Sequence, residues 1–362
     1  MTARRLLFFA DASSVHTRRW VGEMAARGHE CHVATRLAGE VPGARSVRVI
    51  QPGRDGLGWF RALPQVRRLA REIAPDWVHG HYVTSYGLWA AACGHRPMAL
   101  TAWGSDILVT PRQSRLMRAL VGWTLRRADL VTADSADMLD AIAGYGVCAP
   151  RHQILWGADT DKFHPAEAPP AGFDIVSLRN WEPNYNIDTV LQAFAGFLAQ
   201  RPQAPSTLHL LGGGPQEPAL REQARQLGIE AHVRFHGRVG DAQMVQAMQA
   251  ARVSVTVPSS DATSVSLLES MACGLGIVAS DLPANRQWVD AAGGCLVPAG
   301  DVHALIAALI ALHDDPASLA AMGRHNRQRI EREASRRAQM DAMSALYGEV
   351  EARLAQAERR PA

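Results

Sequence analysis

The residues whose types and spacing best suit chemistry lie in residues 259–280, SSDATSVSLLESMACGLGIVAS. Asp261 precedes an apolar segment, and Glu269 stands eight positions on, inside it. Val265, Leu268, Met271 and Ala272 recur at helical spacing, and Gly274 suits the end of such a helix. The pattern predicts a helix that starts near Thr263 or Ser264 and stops at Gly274. The first N–H groups of a helix lack partners within it and attract anions, phosphate above all. One reading puts a phosphate on that end, with the two carboxylates holding sugar hydroxyls on either side. The other is a capping box, because Ser266-Leu-Leu-Glu269 has the S-x-x-E form.

The flanking elements position this stretch. Residues 253–257 and 277–279 read as buried strands, so the acidic pair sits on a strand–loop–helix–strand joint of a parallel sheet. Ligands of open α/β sheets bind at such joints, outside the carboxyl ends of the strands. Arg179 follows a predicted strand at 174–178, where its fork suits a diphosphate. Gly212-Gly213-Gly214-Pro215 ends a strand, and residues 233–238, with His236, form another strand and loop.

The first half opens in the same way. A strand at 6–10 leads through a loop with Ser14 and His16 into a helix at about 17–27, then a strand at 31–34. Residues 76–81 read as a strand ending His79-Gly80-His81. Two histidines without a third ligand are weak support for a metal. His79 reads as a core histidine, and His81, at the loop edge, as the better site residue. A strand at 98–102 precedes Trp103-Gly-Ser-Asp106. Residues 111–127 predict one amphipathic helix, with Arg112, Arg115, Arg118, Arg126 and Arg127 around Leu116, Leu120, Val121 and Trp123. Such a face is either solvated or laid on an anionic membrane. Asp159-Thr-Asp161 is a literal D-x-D, but it falls in a linker and is not read as a metal site. Pro165, Pro169 and Pro170 mark a domain boundary.

Composition narrows the function classes. At 362 residues the chain favours two domains, and 47% hydrophobic with 20% charged residues describes a soluble globular protein. Residues 1–160 hold 20 arginines against 13 acidic residues, seven positive charges net; the whole-chain +3 leaves −4 for the rest. No basic motif interleaved with aromatics points to nucleic acid. Lys162 is the sole lysine, which counts against a pyridoxal-phosphate enzyme. The absence of G-x-G-x-x-G counts against a dinucleotide fold. Five scattered cysteines without C-x-x-C read as reduced thiols of a cytosolic protein. The run at 6–9 is too short for a signal-peptide core, and no apolar run approaches membrane-spanning length.

Residues 261–273 resemble the donor-site motif of the retaining family-4 glycosyltransferases, written E-x7-E, with Asp261 at the first acidic position and Glu269 at the second. The phrases HTRRW…ARGHECHVAT, HGHYVTSYG, ILWGADTDKFHP and LHLLGGGP extend the likeness over nearly the whole chain, most strongly at 173–300. The resemblance implies a GT-B fold: two doubly wound, Rossmann-like α/β domains facing across a cleft. Residues 1–160 would form the acceptor-side domain, 161–172 a linker and 173–335 the nucleotide-sugar domain. Residues 336–362 would form a helix returning to the first domain. It implies retaining transfer of a hexosyl or N-acetylhexosaminyl group from a UDP- or GDP-sugar to a glycan, lipid-linked or small-molecule acceptor. The implied setting is polysaccharide synthesis in the cytoplasm or at the inner face of the membrane, without cofactor or obligate metal. Arg179, Asp261 and Glu269 take the catalytic positions. Gly213, His236, Thr263, Ser264, Val265 and Ser266 take donor-binding ones. Ser14, His16, His81, Trp103 and Asp106 fall on the acceptor side. The chain departs from the pattern at Asp261 (for Glu), at Trp103 (for the His of HGSD), at Ser13-Ser14 (for Gly-Gly) and at Asn184-Tyr185 (for a Lys after the Arg). Two rival readings are a nucleotide-sugar 2-epimerase and a non-catalytic GT-B binding or assembly module.

Overall fold

A computed structural model describes residues 2–51, 57–168 and 170–358; Pro169 of the expected boundary lies outside them. The chain forms two compact units, Met1–Trp156 with Arg337–Ala362, and Gly157–Arg336. The whole segment expected as a linker, 161–172, therefore falls in the second unit.

Among the described residues, seven strands build the first unit's sheet: β1 Arg5–Phe9, β2 Glu30–Thr35, β3 Ala44–Val49, β4 Trp77–His81, β5 Met98–Thr101, β6 Leu130–Ala133 and β7 Arg151–Gln153. All pairs are parallel, in the order β3-β2-β1-β4-β5-β6-β7. β1 reads as an unbroken apolar run because helices cover both faces of the sheet. Leu7 and Phe9 enter one core, and Leu6 and Phe8 the other.

That second core is closed by the helix Arg336–Glu358, whose Met340, Met343 and Tyr347 pack with Phe8, Trp20 and Trp77. Polar ties fix it in register. Glu351 accepts from Arg4 Nε and Trp77 Nε1, each at 2.7 Å, and Ser344 bonds His29 at 2.8 Å. The Tyr347 hydroxyl meets His79 Nδ1 at 2.7 Å, while His79 Nε2 meets Thr101 at 2.7 Å. His79 is thus a satisfied core histidine, and burial pushes its pKa far down.

The second unit repeats the plan with β8 Ile175–Ser177, β9 Leu208–Leu211, β10 Val233–Gly237, β11 Val253–Thr256, β12 Gly276–Ser280 and β13 Gly294–Val297. They are all parallel, ordered β10-β9-β8-β11-β12-β13. Strand order reverses between β1 and β4 in the first sheet and between β8 and β11 in the second. These are the points where doubly wound sheets open a crevice at their carboxyl ends.

One expected element divides. Residues 111–127 form two helices, Thr110–Gln113 and Arg115–Leu125. Ser114 is extended between them (φ −159°) and its hydroxyl accepts the Met117 N–H at 3.1 Å, so a cap competes with continuation. Of the expected apolar face, Val121 is buried but Leu116 is 81% exposed.

Candidate functional site

In the second unit the site grows from the β8/β11 switch point. Arg179 leaves β8 and is 8% exposed. The glycine turn after β9 gives it its seat. Gly212 has φ +156°, and a Cβ there would lie 2.9 Å from the Arg179 carbonyl carbon and closer still to its oxygen. The Gly213 carbonyl accepts the Trp181 N–H at 3.1 Å, so the two loops run backbone to backbone. Gly213 therefore acts through close approach, with room for a Cβ limited by Arg238 at 3.1 Å.

The Arg179 guanidinium gathers the residues that follow β11. Nη2 donates to the Asp261 carboxylate, and Nη1 to Ser264 Oγ and, at 3.5 Å, Ser266 Oγ. Its carbon lies 4.5 Å from the centre of the Tyr185 ring. Ser264 is the N-cap of the helix Val265–Ala272, its hydroxyl accepting from Leu267 N–H. One arginine thus joins the helix end and the first acidic position. The Asp261 carboxylate lies against the guanidinium. Thr263 is buried beside the cap, and Val265 and Ser266 are half-buried in the first turn.

Asn184 and Tyr185, which replace the expected lysine, hold this loop. Asn184 Nδ2 donates to Ser260 O at 2.9 Å, the Asn184 carbonyl accepts Ser259 N–H at 2.8 Å, and Tyr185 underlies Arg179.

Glu269 is 3% exposed and faces Arg336 at 4.0 Å. The capping-box alternative is not formed: the N-cap is Ser264 rather than Ser266, which puts Leu267 at the third helical position. Arg336 also meets Asp159 at 3.3 Å, and its N–H reaches Ala158 O at 2.8 Å. Gly157 (φ +67°) permits this approach, since a Cβ would stand 2.6 Å from Arg336 Cα. Asp159 of the D-x-D sequence is therefore a turn and ion-pair residue; its other oxygen accepts the Lys162 N–H. Among the described residues, no group of three His, Cys, Asp or Glu is set to hold a metal.

His236 is engaged elsewhere. Its ring stacks on His209 with centroids 5.2 Å apart, the two nitrogens lie 2.9 Å apart, and His209 reaches Asp174 at 3.4 Å. Burial, then His209 and Arg234, lower the His236 pKa.

The expected acceptor-side residues gather at the carboxyl ends of the first sheet. Ser14 is the N-cap of the helix Val15–Ala26, accepting from His16 N–H at 3.2 Å. The His16 ring lies 4.7 Å from Trp156 and 5.7 Å from Trp103. His81 stands at the edge of the loop, as the last residue of β4, and is fully buried because the strand is covered on both faces. Burial lowers its pKa to about 3, so the ring is neutral at physiological pH. Asp106 is also fully buried; one oxygen accepts from Val83 N–H at 2.7 Å, the other from Trp103 and Gly104 N–H at 3.0 Å. Burial raises its pKa to about 6 against those amide donors. Its place is to hold the Trp103 loop. Trp156 was not a candidate by sequence; an indole just beyond a short edge strand carries no signal until the strand is placed.

Comparison with known proteins agrees with this architecture. Residues 5–135 match the family described as Glycosyl transferase 4-like, and residues 159–329 match Glycosyl transferases group 1. The phosphatidyl-myo-inositol mannosyltransferase of Mycolicibacterium smegmatis is 34% identical over 170 residues, covering 45% of this chain and 43% of that protein. The chain thus spans less than half the length of this relative. The glycogen synthase of Mycobacterium tuberculosis is 25% identical, covering 87% of this chain and 85% of its own. Anabaena HepE, solved with UDP-glucose, superposes with a TM-score of 0.80 at 18% identity, over 96% of this chain and 100% of that one. The chain carries a glycosyltransferase 4-like domain followed by a group 1 glycosyltransferase domain, and its fold is GT-B.

Proposed function

We propose that this protein is a retaining glycosyltransferase that moves a sugar from a UDP- or GDP-sugar to a hydroxyl of a glycan, lipid-linked or small-molecule acceptor. The observation that carries the reading is the junction of Arg179 with the Ser264 cap and Asp261 at the β8/β11 switch point. A departing nucleoside diphosphate gains negative charge as its bond to the sugar breaks. Arg179 and the N–H groups of Val265 and Ser266 face that charge already oriented, which is the least costly way to stabilise it. The diphosphate displaces Asp261 from the guanidinium, and the freed carboxylate turns to a hydroxyl of the donor sugar. Glu269, its charge balanced by Arg336, holds the ribose hydroxyls. No cofactor or metal enters these steps.

Calorimetry with UDP, GDP, ADP and dTDP, run in EDTA, tests this. One nucleotide binds in the micromolar range, and Glu269→Gln weakens it about tenfold or more, since one buried hydrogen-bonded contact is worth that much. Binding by none of the four would shift the assignment to a non-catalytic module. Turnover that depends on an added acceptor separates a transferase from an epimerase.

We further propose a cytoplasmic enzyme that rests on the inner face of the membrane to reach a lipid-linked acceptor. Leu116 at 81% and Val109 at 46% exposure stand among Arg112, Arg115 and Arg118, a mixture suited to an anionic surface. Among the described residues no single helix is long and apolar enough to cross a membrane. The protein should sediment with vesicles containing anionic lipid and lose about tenfold in partitioning as Leu116→Glu. Equal recovery with purely zwitterionic vesicles would count against the contact.

A further inference from the structure

Three residues at the carboxyl ends of the first sheet carry rings that meet at one indole, Trp156. Trp156 follows β7, Trp103 follows β5, His81 ends β4, and His16 lies in the first turn of the helix after β1. The Trp156 ring centre lies 4.7 Å from His16, 5.2 Å from Trp103 and 6.1 Å from His81. Trp20 backs it from below at 5.2 Å. The arrangement is layered. Trp20 and His81 are 1% and 0% exposed, whereas His16, Trp103 and Trp156 keep part of their surface open. Trp103 stands at 85° to Trp156, so the pair forms a corner rather than a stack.

The corner is rigid. Asp106 accepts both the Trp103 and Gly104 N–H groups, and Gly104 takes φ +116°, a conformation that L side chains rarely adopt. Beneath it lie polar atoms without hydrogen-bond partners: both ring nitrogens of His81 and the indole N–H groups of Trp20 and Trp103. Unpaired polar atoms are rare in a cluster built for burial alone, and each costs stability. Those nitrogens are buried, so a ligand would meet the open ring faces above them. A pyranose has an apolar face of C–H bonds, whose positive hydrogens suit the negative face of an indole.

We propose that Trp103 and Trp156 form a corner that seats a pyranose ring of the acceptor, so that the acceptor is a cyclic sugar rather than a linear polyol or a simple alcohol. This deepens the acceptor side of the transferase reading and rests on it. Trp156 is then a specificity-determining residue, and Trp103 is where this chain departs from the histidine implied by the family resemblance. Asp106 is a positioning residue for Trp103.

The test is donor-free saturation-transfer NMR, with methyl α-glucopyranoside and methyl α-mannopyranoside as probes and glycerol as the linear control. Magnetisation should pass from the aromatic protons to the ring C–H protons of a glycoside and not to glycerol. Trp156→Ala should reduce it about tenfold, the loss of a stacked contact, while Trp156→Phe keeps most of it. Nucleotide affinity of Trp156→Ala, measured by calorimetry, should stay at the wild-type value. The proposal is overturned by equal transfer to glycerol, by unchanged transfer in Trp156→Ala, or by no transfer to either glycoside. Loss in both variants together with nucleotide affinity would also overturn it, since the rings would then be scaffold. Ring binding intact with no nucleotide binding would sink the donor reading and leave the seat standing.

Discussion

Arg179→Ala is expected to lower kcat for sugar transfer by about 10²–10³-fold, the usual effect of removing one oriented donor from a developing negative charge. The reason is position. Arg179 is the side chain that joins the end of β8 to the cap of the helix after β11, so in the proposed reaction its charge and that helix end would act on the same leaving group. Its loss should appear more in kcat than in KM, because the charge it faces is fullest in the transition state. Arg179→Lys keeps the charge but not the fork, and should fall between the two. The folded state should tolerate the change. Asp261 is 23% exposed at its side chain and can rehydrate, and Ser264 still caps Leu267 N–H. A kcat for Arg179→Ala within about threefold of wild type would remove Arg179 from the catalytic assignment.

Gly212→Ala should be the most damaging single methyl group in the second unit. It combines a positive φ with a Cβ that overlaps the Arg179 carbonyl, so either the glycine turn or the arginine loop must move. Strain of this kind costs about 1–3 kcal/mol, and the overlap adds to it. Gly228→Ala is the matched control: it also has a positive φ (+70°) but meets nothing within 4 Å. Both variants should lose stability in denaturant unfolding. Only Gly212→Ala should also lose nucleotide affinity, by about tenfold or more, because the displaced carbonyl carries Arg179 with it. Equal affinity in the two variants would mean that the loop relaxes without moving the guanidinium.

Much of the architecture was legible because buried parallel strands read as short apolar runs, as at Leu6-Leu7-Phe8-Phe9. β3 and β7 were not, since edge strands with sequences such as ARSVRV look like solvated loops. The break at Ser114 was missed because arginines and apolar residues kept helical spacing across it. At the site, residue type and spacing marked Arg179, Asp261 and Glu269, but not whom they would meet. Arg179 and Asp261 pair across 82 positions, and the partner of Glu269, Arg336, opens the last helix. Such pairings depend on strand order, which local pattern does not encode. The burial of His81 was not legible for a related reason: whether the last residue of a strand is buried depends on the neighbours that cover it.

The helix Arg336–Glu358 has a consequence for synthesis. Its Tyr347, Met340 and Met343 complete a core that begins at Leu6, so the first sheet lacks part of its cover until that helix has been made. The 180 residues from Gly157 to Arg336 emerge in between. At about 5–20 residues per second, that leaves an interval of about 10–40 s on the ribosome. During it Phe8, Trp20 and Trp77 lack the part of their cover that Met340, Met343 and Tyr347 supply, and the second unit can fold first. A premature stop near codon 336 would then harm the amino-terminal sheet more than the unit beside the stop, and the shortened product would be a client for chaperones.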